Sequence, residues 1–189
     1  MTKLSLLVAT FVLFSGNVSY AKSRSSTFIN LTQSSLDGEP SSAEARSLGI
    51  FAGGIRYKEN IGFGVGGYFS SEYNSAKVTK AGFDLVTDKK VSFDARTIGI
   101  QFGYLFPTNT ELSFGLGNKV VEISQEETST TIGAMDYRIS ISQTVYKSFG
   151  MSVFGSQTGD MTRRNSSESD TVALTSYGVG FGYVPTFDD

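Results

Sequence analysis

The chain contains no histidine, no cysteine and no tryptophan, and only 3 of its 189 residues are proline. Without histidine, the Ser-His and Asp-His arrangements that move a proton near neutral pH cannot be built. Without cysteine, disulfides, thiolate metal ligands and thiol nucleophiles are all excluded. Ser-Lys and paired-carboxylate arrangements stay open, but no spacing singles one out. We therefore expect no catalytic site, no cofactor and no metal site.

Charge is sparse as well. Charged residues make up 18% of the chain, with 16 basic and 18 acidic residues and a formal net charge of −2. Soluble domains usually carry about 25% charged residues. This balance offers a nucleic acid no basic surface, so no nucleic-acid partner is expected.

The first 21 residues are predicted to be a secretory signal rather than part of the fold. Lys3 precedes an apolar run over residues 4–14, and Ser19 and Ala21 are the small residues expected at −3 and −1 of a cleavage site. A run of about 11 residues is too short to cross ~30 Å of hydrocarbon as an anchor helix. We expect cleavage after Ala21, which leaves one exported domain over residues 22–189.

What the chain has in abundance is glycine, phenylalanine and tyrosine arranged with a period of two residues. From Ile98 to Phe106 the even positions are Ile, Ile, Phe, Tyr and Phe, and the odd positions are Gly, Gln, Gly and Leu. Residues 61–66 and 177–183 repeat this alternation. After Ala21 no segment has sustained helical spacing and none runs 18 apolar residues, which excludes helical membrane spans. The pattern predicts an all-β protein.

The two faces of these strands favour a membrane barrel over a soluble one. Each stretch is about nine to eleven residues long, which is the length of a tilted transmembrane strand. One face is large and apolar, whereas the other is glycine, serine, threonine or charged, which suits the cramped polar lumen of a narrow barrel. Aromatic residues near strand ends are predicted to form girdles at the membrane interfaces. They are Tyr57, Tyr68, Phe69, Tyr104, Phe106 and Tyr183.

Eight strands account for the exported domain. They are expected at about residues 26–33, 46–57, 61–72, 91–106, 111–123, 134–146, 150–158 and 171–183. The links alternate between short turns (58–60, 107–110, 147–149) and longer polar loops (34–45, 73–90, 124–133, 159–170). This asymmetry is typical of periplasmic turns and extracellular loops. The sequence thus predicts a closed antiparallel up-and-down transmembrane β-barrel, with both termini at the short-turn end and a β-bulge at residues 52–54.

The last strand carries a short motif. Gly178, Phe181 and Tyr183 match the glycine, aromatic, aromatic spacing of the outer-membrane β-signal, and residues 99–104 look like an internal copy. The chain therefore resembles the small OmpA/OmpX-type eight-stranded outer-membrane barrels over essentially its whole mature length. The resemblance implies that the barrel-assembly machinery reads this strand during insertion. One departure is that six residues follow Tyr183, among them Phe187, which would be the aromatic residue nearest the end.

Three charged residues share the inward phase of neighbouring strands: Lys119, Asp136 and Arg138. A charge in a narrow barrel must be paired or hydrated. We hypothesise an internal ion-pair network that fills the lumen and blocks a continuous water path. The alternative is that one or more of these side chains lies above the membrane in water.

Arg96 and Asp94 lie on the outward phase, just beyond the apolar stretch on the long-loop side. Nearby loop cations are Lys77, Lys80, Lys89 and Lys90. With them, Arg96 could contact lipopolysaccharide phosphates through charge-assisted hydrogen bonds. The alternative is an ordinary solvated loop.

Together these features predict a monomeric, non-enzymatic integral protein of the cell outer membrane that contacts outer-membrane lipids and lipopolysaccharide. We expect a role in envelope structure or in surface interaction through the long loops. Eight strands leave an interior filled by side chains, so a general porin is not expected. Two alternatives stay open: a narrow pore for ions or small solutes, and a soluble periplasmic β-barrel that binds an apolar ligand inside.

Overall fold

A computed structural model describes residues 22–38, 42–59, 61–80, 90–125, 128–163 and 171–184. The strands are β1 Lys22–Gly38, β2 Ser42–Tyr57, β3 Gly62–Lys80, β4 Lys90–Leu105, β5 Thr110–Gln125, β6 Thr128–Tyr146, β7 Phe149–Thr158, β8 Met161–Arg163 and β9 Thr171–Tyr183. Within these described ranges, no helix is long and apolar enough to cross a membrane. The predicted signal peptide, with its cleavage site, and Phe187 lie outside the described residues.

The strands form one closed antiparallel sheet. Strands β1 to β7 pair in chain order, β9 pairs with β7, and β9 also pairs back with β1. The short strand β8 pairs with β6 and β9, which are also the neighbours of β7, so β7 and β8 share one position in the wall. The barrel therefore has eight strand positions, which confirms the predicted fold class and strand number.

The strand pairing is staggered around the barrel. A path of directly opposed residues leaves β1 at Arg24 and returns to β1 at Ser34, ten residues further along. Its members are Arg24, Ile55, Gly66, Gln101, Gly115, Arg138, Ser156, Ser176 and Ser34. Such a stagger requires strands tilted by roughly 35–45°, and an eight-stranded barrel is then just wide enough for side chains to fill it.

The outer face carries an apolar belt. On β4, Ile98, Ile100 and Phe102 point outward and are exposed, while Thr97 and Gln101, at alternate positions, point inward and are buried. The same alternation holds along the other long strands where their side chains are described, because successive side chains point to opposite sides of a sheet. The large apolar residues are therefore outside the barrel and the small and polar ones are inside.

Aromatic residues border this belt at both ends. At the short-turn end Phe63 packs edge-on against Tyr104, and Tyr104 packs edge-on against Phe106, with 4.8 Å between ring centroids in each pair. Other outward aromatic residues are Phe149 and Tyr183 at that end and Tyr73, Tyr137 and Tyr177 towards the other. The girdle prediction is wrong for two residues: Tyr57 and Tyr68 point into the lumen and are 0% and 2% exposed.

The short turns lie where they were predicted. The β4–β5 turn is closed by hydrogen bonds from Phe106 N to Thr110 O and from Asn109 N to Phe106 O, at 2.8 and 3.1 Å. Asn109 and Lys147 each adopt a positive φ, of 58° and 48°, as the tightest point of such turns requires. The first residue of β1 and the last residue of β9 also lie at this end.

The long-loop prediction is wrong at the opposite end. The strands continue through most of the predicted loops, so that only residues 39–41 separate β1 from β2 and only residues 126–127 separate β5 from β6. Pairing of β3 with β4 reaches Lys77 and Lys90. Backbone hydrogen bonds continue there although the sequence no longer alternates, because a polar environment on both faces removes the reason for alternation. The predicted bulge is also wrong, since pairing is continuous through residues 52–54.

Candidate functional site in the filled lumen

The inward side chains form five layers, described here from the short-turn end upward. They are a lower layer (Arg24, Tyr57, Glu111), a serine layer (Ser26, Ser113, Ser140, Ser142, Ser152), an aromatic layer (Phe28, Phe51, Tyr68, Phe154, with Arg138), a charged layer (Glu72, Lys119, Asp136) and an upper apolar layer (Val121, Ile132, Leu174). Nearly all of these side chains are buried. The lumen is therefore filled rather than open.

The charged layer contains an ion pair. Lys119 Nζ lies 3.1 Å from Asp136 Oδ1, and only 3% and 2% of the two side chains is exposed. The same Nζ donates a hydrogen bond to Ser156 Oγ at 3.2 Å. Glu72 is buried beside them, and its Oε2 has no hydrogen-bond partner. Removing one partner of a buried ion pair is strongly destabilising, so the stability of the barrel depends on both side chains being present.

Arg138 lies one layer lower, between two aromatic rings. Its Cζ is 3.8 Å from the ring centroid of Phe154 and 4.6 Å from that of Phe51. Phe51 also packs against Phe28 and stacks on Tyr68, with centroid separations of 6.2 and 5.8 Å. A desolvated cation over an aromatic face gains about 2 kcal/mol. The aromatic layer thus holds the guanidinium across the middle of the lumen.

The structure brings two of the three predicted lumen residues into direct contact and separates the third. Lys119 and Asp136 form the ion pair, whereas Arg138 is held by rings and interacts electrostatically with Glu72 and Asp136 above it. The positive charges of Lys119 and Arg138 are equal in number to the carboxylates of Glu72 and Asp136. Glu72 and the four aromatic residues are the members that sequence reasoning did not identify.

Glycine on the facing strands makes room for the aromatic layer. A Cβ on Gly117 would lie 2.6 Å from Tyr68 Oη, and a Cβ on Gly115 would lie 2.9 Å from Tyr68 Cε1. A Cβ on Gly178 would similarly lie 2.9 Å from Phe154 Cζ. Interiors are close-packed, so such contacts would force the rings to move. The inward glycines therefore match the inward rings in volume.

The lower layer joins strands on opposite sides of the barrel. Tyr57 Oη donates to Glu111 Oε2 at 2.8 Å. Arg24 Nη2 donates to Thr144 Oγ1 at 2.7 Å and to the carbonyl oxygen of Asn109 at 3.1 Å. Arg24 and Glu111 also attract each other electrostatically. These contacts connect strands across the short-turn end of the lumen, while Nε and Nη1 of Arg24 are buried without a hydrogen-bond partner.

A small cavity lies between the lower and aromatic layers. Its wall consists of the five serines of the serine layer with Phe28, Phe51, Glu111 and Arg138. The hydroxyl groups of Ser113 and Ser140 bond to each other at 2.7 Å, and Ser152 Oγ has no partner. The cavity has room for about one water molecule, and its hydroxyl lining suits water.

On the outer face, Arg96 lies at the upper border of the apolar belt. Its Nη2 is 2.6 Å from Asp94 Oδ2 and its Nε is 3.3 Å from Asp94 Oδ1, so the two side chains form a bidentate pair. The Arg96 side chain is largely exposed. The predicted loop cations Lys77, Lys80 and Lys90 lie on strands rather than in a loop, and Lys89 lies outside the described residues.

The three β-signal residues share β9 but not one face. Phe181 and Tyr183 point outward and are exposed, whereas Gly178 faces the lumen beside Phe154. Among the residues that the structure describes, no group of three or more His, Cys, Asp or Glu side chains could hold a metal ion.

No family model matches the sequence, and no curated protein matches it. Solved structures do match the fold. Ail, the attachment invasion locus protein of Yersinia pestis, in complex with the heparin analogue sucrose octasulfate, aligns with a TM-score of 0.58 at 16% identity, over 86% of this chain and 99% of Ail. Neisserial surface protein A aligns with a TM-score of 0.52 at 14% identity, over 86% of this chain and 97% of that protein. The chain has the fold of the small eight-stranded outer-membrane barrels.

That outer-membrane barrel fold accounts for the arrangement of the two faces. It explains why bulky apolar side chains are on the outside and why the charged side chains inside are paired. At these identities the likeness concerns the fold alone, so the role of the barrel has to be argued from its own residues.

Proposed function

We propose that this protein is a non-enzymatic, monomeric barrel of the cell outer membrane whose lumen is sealed. The observation that carries the proposal is the reversed distribution of polarity: exposed isoleucine, leucine and phenylalanine encircle a buried set of charged and hydroxyl side chains. An apolar band about 25 Å tall between aromatic girdles is what a transmembrane barrel presents to lipid. A water-soluble barrel would place these two sets the other way round.

The sealed lumen follows from the layers. The Lys119–Asp136 pair and the caged Arg138 occupy adjoining layers of the lumen, and the rings of the aromatic layer pack around Arg138. A role in envelope structure or surface interaction is consistent with such a barrel. Two proteins of the same fold are named for attachment and for the cell surface.

The surface that would make such contacts is the end opposite the short turns. There the strands continue past the belt, so paired backbone forms the described part of this end. Arg96 is the candidate contact for a lipopolysaccharide phosphate. A phosphate would have to compete with Asp94 for the guanidinium, because the bidentate pair already uses two of its donors. The exposed aromatic residues of β9 are the candidate recognition surface for the barrel-assembly machinery.

A narrow pore is the second candidate, and one observation favours it. Several buried hydroxyl groups of the lumen have no hydrogen-bond partner in the protein, among them those of Thr32, Ser47, Thr97 and Thr130. Buried polar groups of this kind usually bind water. If water connects these groups along the whole lumen, the barrel conducts small ions. The soluble ligand-binding barrel has no comparable support, because the lumen holds charges instead of an apolar cavity.

Fractionation followed by electrical recording tests the proposal. We expect recovery in the outer-membrane fraction, heat-modifiable gel mobility, and no steady conductance after insertion into planar bilayers. Recovery in the soluble periplasmic fraction would contradict the membrane assignment. A steady ion current through the unaltered barrel would instead establish the pore.

A further inference from the structure

Side chains cross the lumen in the aromatic and charged layers and again in the lower layer, and the proposed function depends only on the first of these two regions. We propose that the lower layer of Arg24, Tyr57 and Glu111 is a second, independent seal, and that the serine-lined cavity above it is an enclosed hydrated chamber between two seals. This inference rests on the proposed function, because it takes the barrel to span a membrane.

The bonds of the lower layer cross the lumen. Arg24 on β1 binds Thr144 on β6, and Tyr57 on β2 binds Glu111 on β5. In the ring of eight strand positions, β1 is three positions from β6, and β2 is three positions from β5. Hydrogen bonds between such distant strands cannot run along one wall, so they bridge the interior.

Apolar packing supports Tyr57 on one side of these bonds. Ile55, Tyr57 and Leu105 form one buried cluster. A Cβ on Gly103 would lie 2.9 Å from Tyr57 Oη, and a Cβ on Gly64 would lie 2.6 Å from Tyr57 Cδ1. The tyrosine ring therefore packs closely against the glycines of the neighbouring strands β3 and β4.

The two seals share no side chain. Glu111 of the lower layer borders the cavity from below, and Arg138 of the aromatic layer borders it from above. Each seal has its own partners, since the lower one uses hydrogen bonds to a turn and to Thr144 whereas the upper one uses rings and the Lys119–Asp136 pair. Loss of one should therefore expose the chamber to one side only.

Cysteine accessibility tests this arrangement, because the chain has no cysteine of its own. Ser142→Cys places a single thiol in the chamber, and Thr108→Cys places one on the exposed turn at the short-turn end as the matched control. The barrel, folded in lipid vesicles, is treated from the short-turn side with a small charged methanethiosulfonate that does not cross membranes. We expect the thiol at position 108 to be labelled and the thiol at position 142 to be protected.

Opening each seal in turn completes the test. Arg24→Ser with Tyr57→Ser should remove the protection at position 142 from the short-turn side while planar-bilayer conductance stays absent. Arg138→Ser with Phe154→Ser should leave that protection in place. Heat-modifiable mobility shows that each variant is folded.

The outcomes separate the two proposals. Labelling of position 142 in the otherwise unaltered barrel, or continued protection in the folded Arg24/Tyr57 variant, would overturn the lower seal and leave the upper one standing. Conductance of the Arg24/Tyr57 variant would show that the upper layers do not seal, and the proposed function would fail. If that variant does not fold, the comparison of positions 108 and 142 in the unaltered background still decides whether the lower seal exists.

Discussion

The inner and outer faces of the barrel wall belong to the same strands but follow opposite rules. On the outer face, Ile98, Ile100 and Phe102 each contact the surroundings, and any large apolar residue would serve. On the inner face bulky and charged groups depend on specific neighbours, as Tyr68 does on Gly117 and Lys119 does on Asp136. The outer face therefore requires only that its residues be large and apolar, whereas the inner face requires particular residues at particular neighbouring positions. Four substitutions, each with a matched partner, test that difference.

The largest effect is expected at the buried ion pair. Asp136→Ala removes the carboxylate that contacts the buried Lys119 and leaves two buried cations against one carboxylate, which should lower the free energy of unfolding by about 3–5 kcal/mol. Asp94→Ala breaks the exposed pair with Arg96 and should cost no more than about 1 kcal/mol. Urea titration of the vesicle-embedded barrel, followed by heat-modifiable mobility, measures both.

Replacing both charges should recover most of that loss. The double variant Lys119→Met with Asp136→Leu removes the unpaired charge while keeping volume, and such exchanges are often neutral. Equal losses for Asp136→Ala and Asp94→Ala would mean that the lumen around Lys119 is open to water, which contradicts the sealed interior.

A charge placed on the outer face tests the belt itself. Ile139→Arg puts a guanidinium among lipid tails and should destabilise the embedded barrel by about 2–4 kcal/mol, whereas the same change at a strand end beyond the belt costs about 0–1 kcal/mol. Thr131→Arg, on the same strand and the same face but above the apolar residues, is the matched variant. Equal costs at the two positions would place residue 139 outside the hydrocarbon layer.

The next effect concerns volume inside the wall. Gly117→Ala forces Tyr68 to move and should cost about 1–3 kcal/mol, as overpacking of a filled interior does. Gly67→Ala, where the nearest atom to the added carbon is the carbonyl oxygen of Gly99 at 3.5 Å, should be close to neutral. Tyr68→Phe should restore part of the stability of Gly117→Ala, and a double-mutant cycle measures this coupling. Strict additivity would rule out the contact.

The last effect concerns one ring and is expected to be no larger than that of Gly117→Ala. Phe154→Leu removes the face that covers Arg138 and should cost about 2 kcal/mol, since the cation is desolvated. Phe102→Leu, on the outer face, exchanges one apolar residue for another and should cost less than about 1.5 kcal/mol. A smaller loss at Phe154 than at Phe102 would show that the rings do not hold the guanidinium.

Alternation between lipid and lumen made most of the architecture predictable from the sequence. It placed Lys119, Asp136 and Arg138 on the inner face of β5 and β6, where they lie in the structure. It failed for Tyr57 and Tyr68, because glycines on both faces of β2 and β3 hide the phase of these strands. Counting in twos from Phe63 and Val65 puts Tyr68 on the inward side, so the signal was present in the sequence.

Two features had no signal of that kind. The strands continue beyond the belt through paired backbone, which side-chain patterning does not report. The partners of Arg138 and Arg24 depend on which side chains meet across the lumen, and that is set by the ten-residue stagger of the whole barrel. The alternation within each single strand shows which residues face the lumen, but it does not show this stagger between the strands.

The closure between β1 and β9 has a kinetic consequence. In the other antiparallel pairings of long strands, neighbours along the wall are close in sequence, but Thr27 of β1 meets Tyr183 of β9 across nearly the whole chain. Joining such distant segments carries the largest loop-closure entropy, and long-range pairings of this type slow folding. The seam between first and last strands should therefore form last. Gly178, Phe181 and Tyr183 all lie on the strand that completes it.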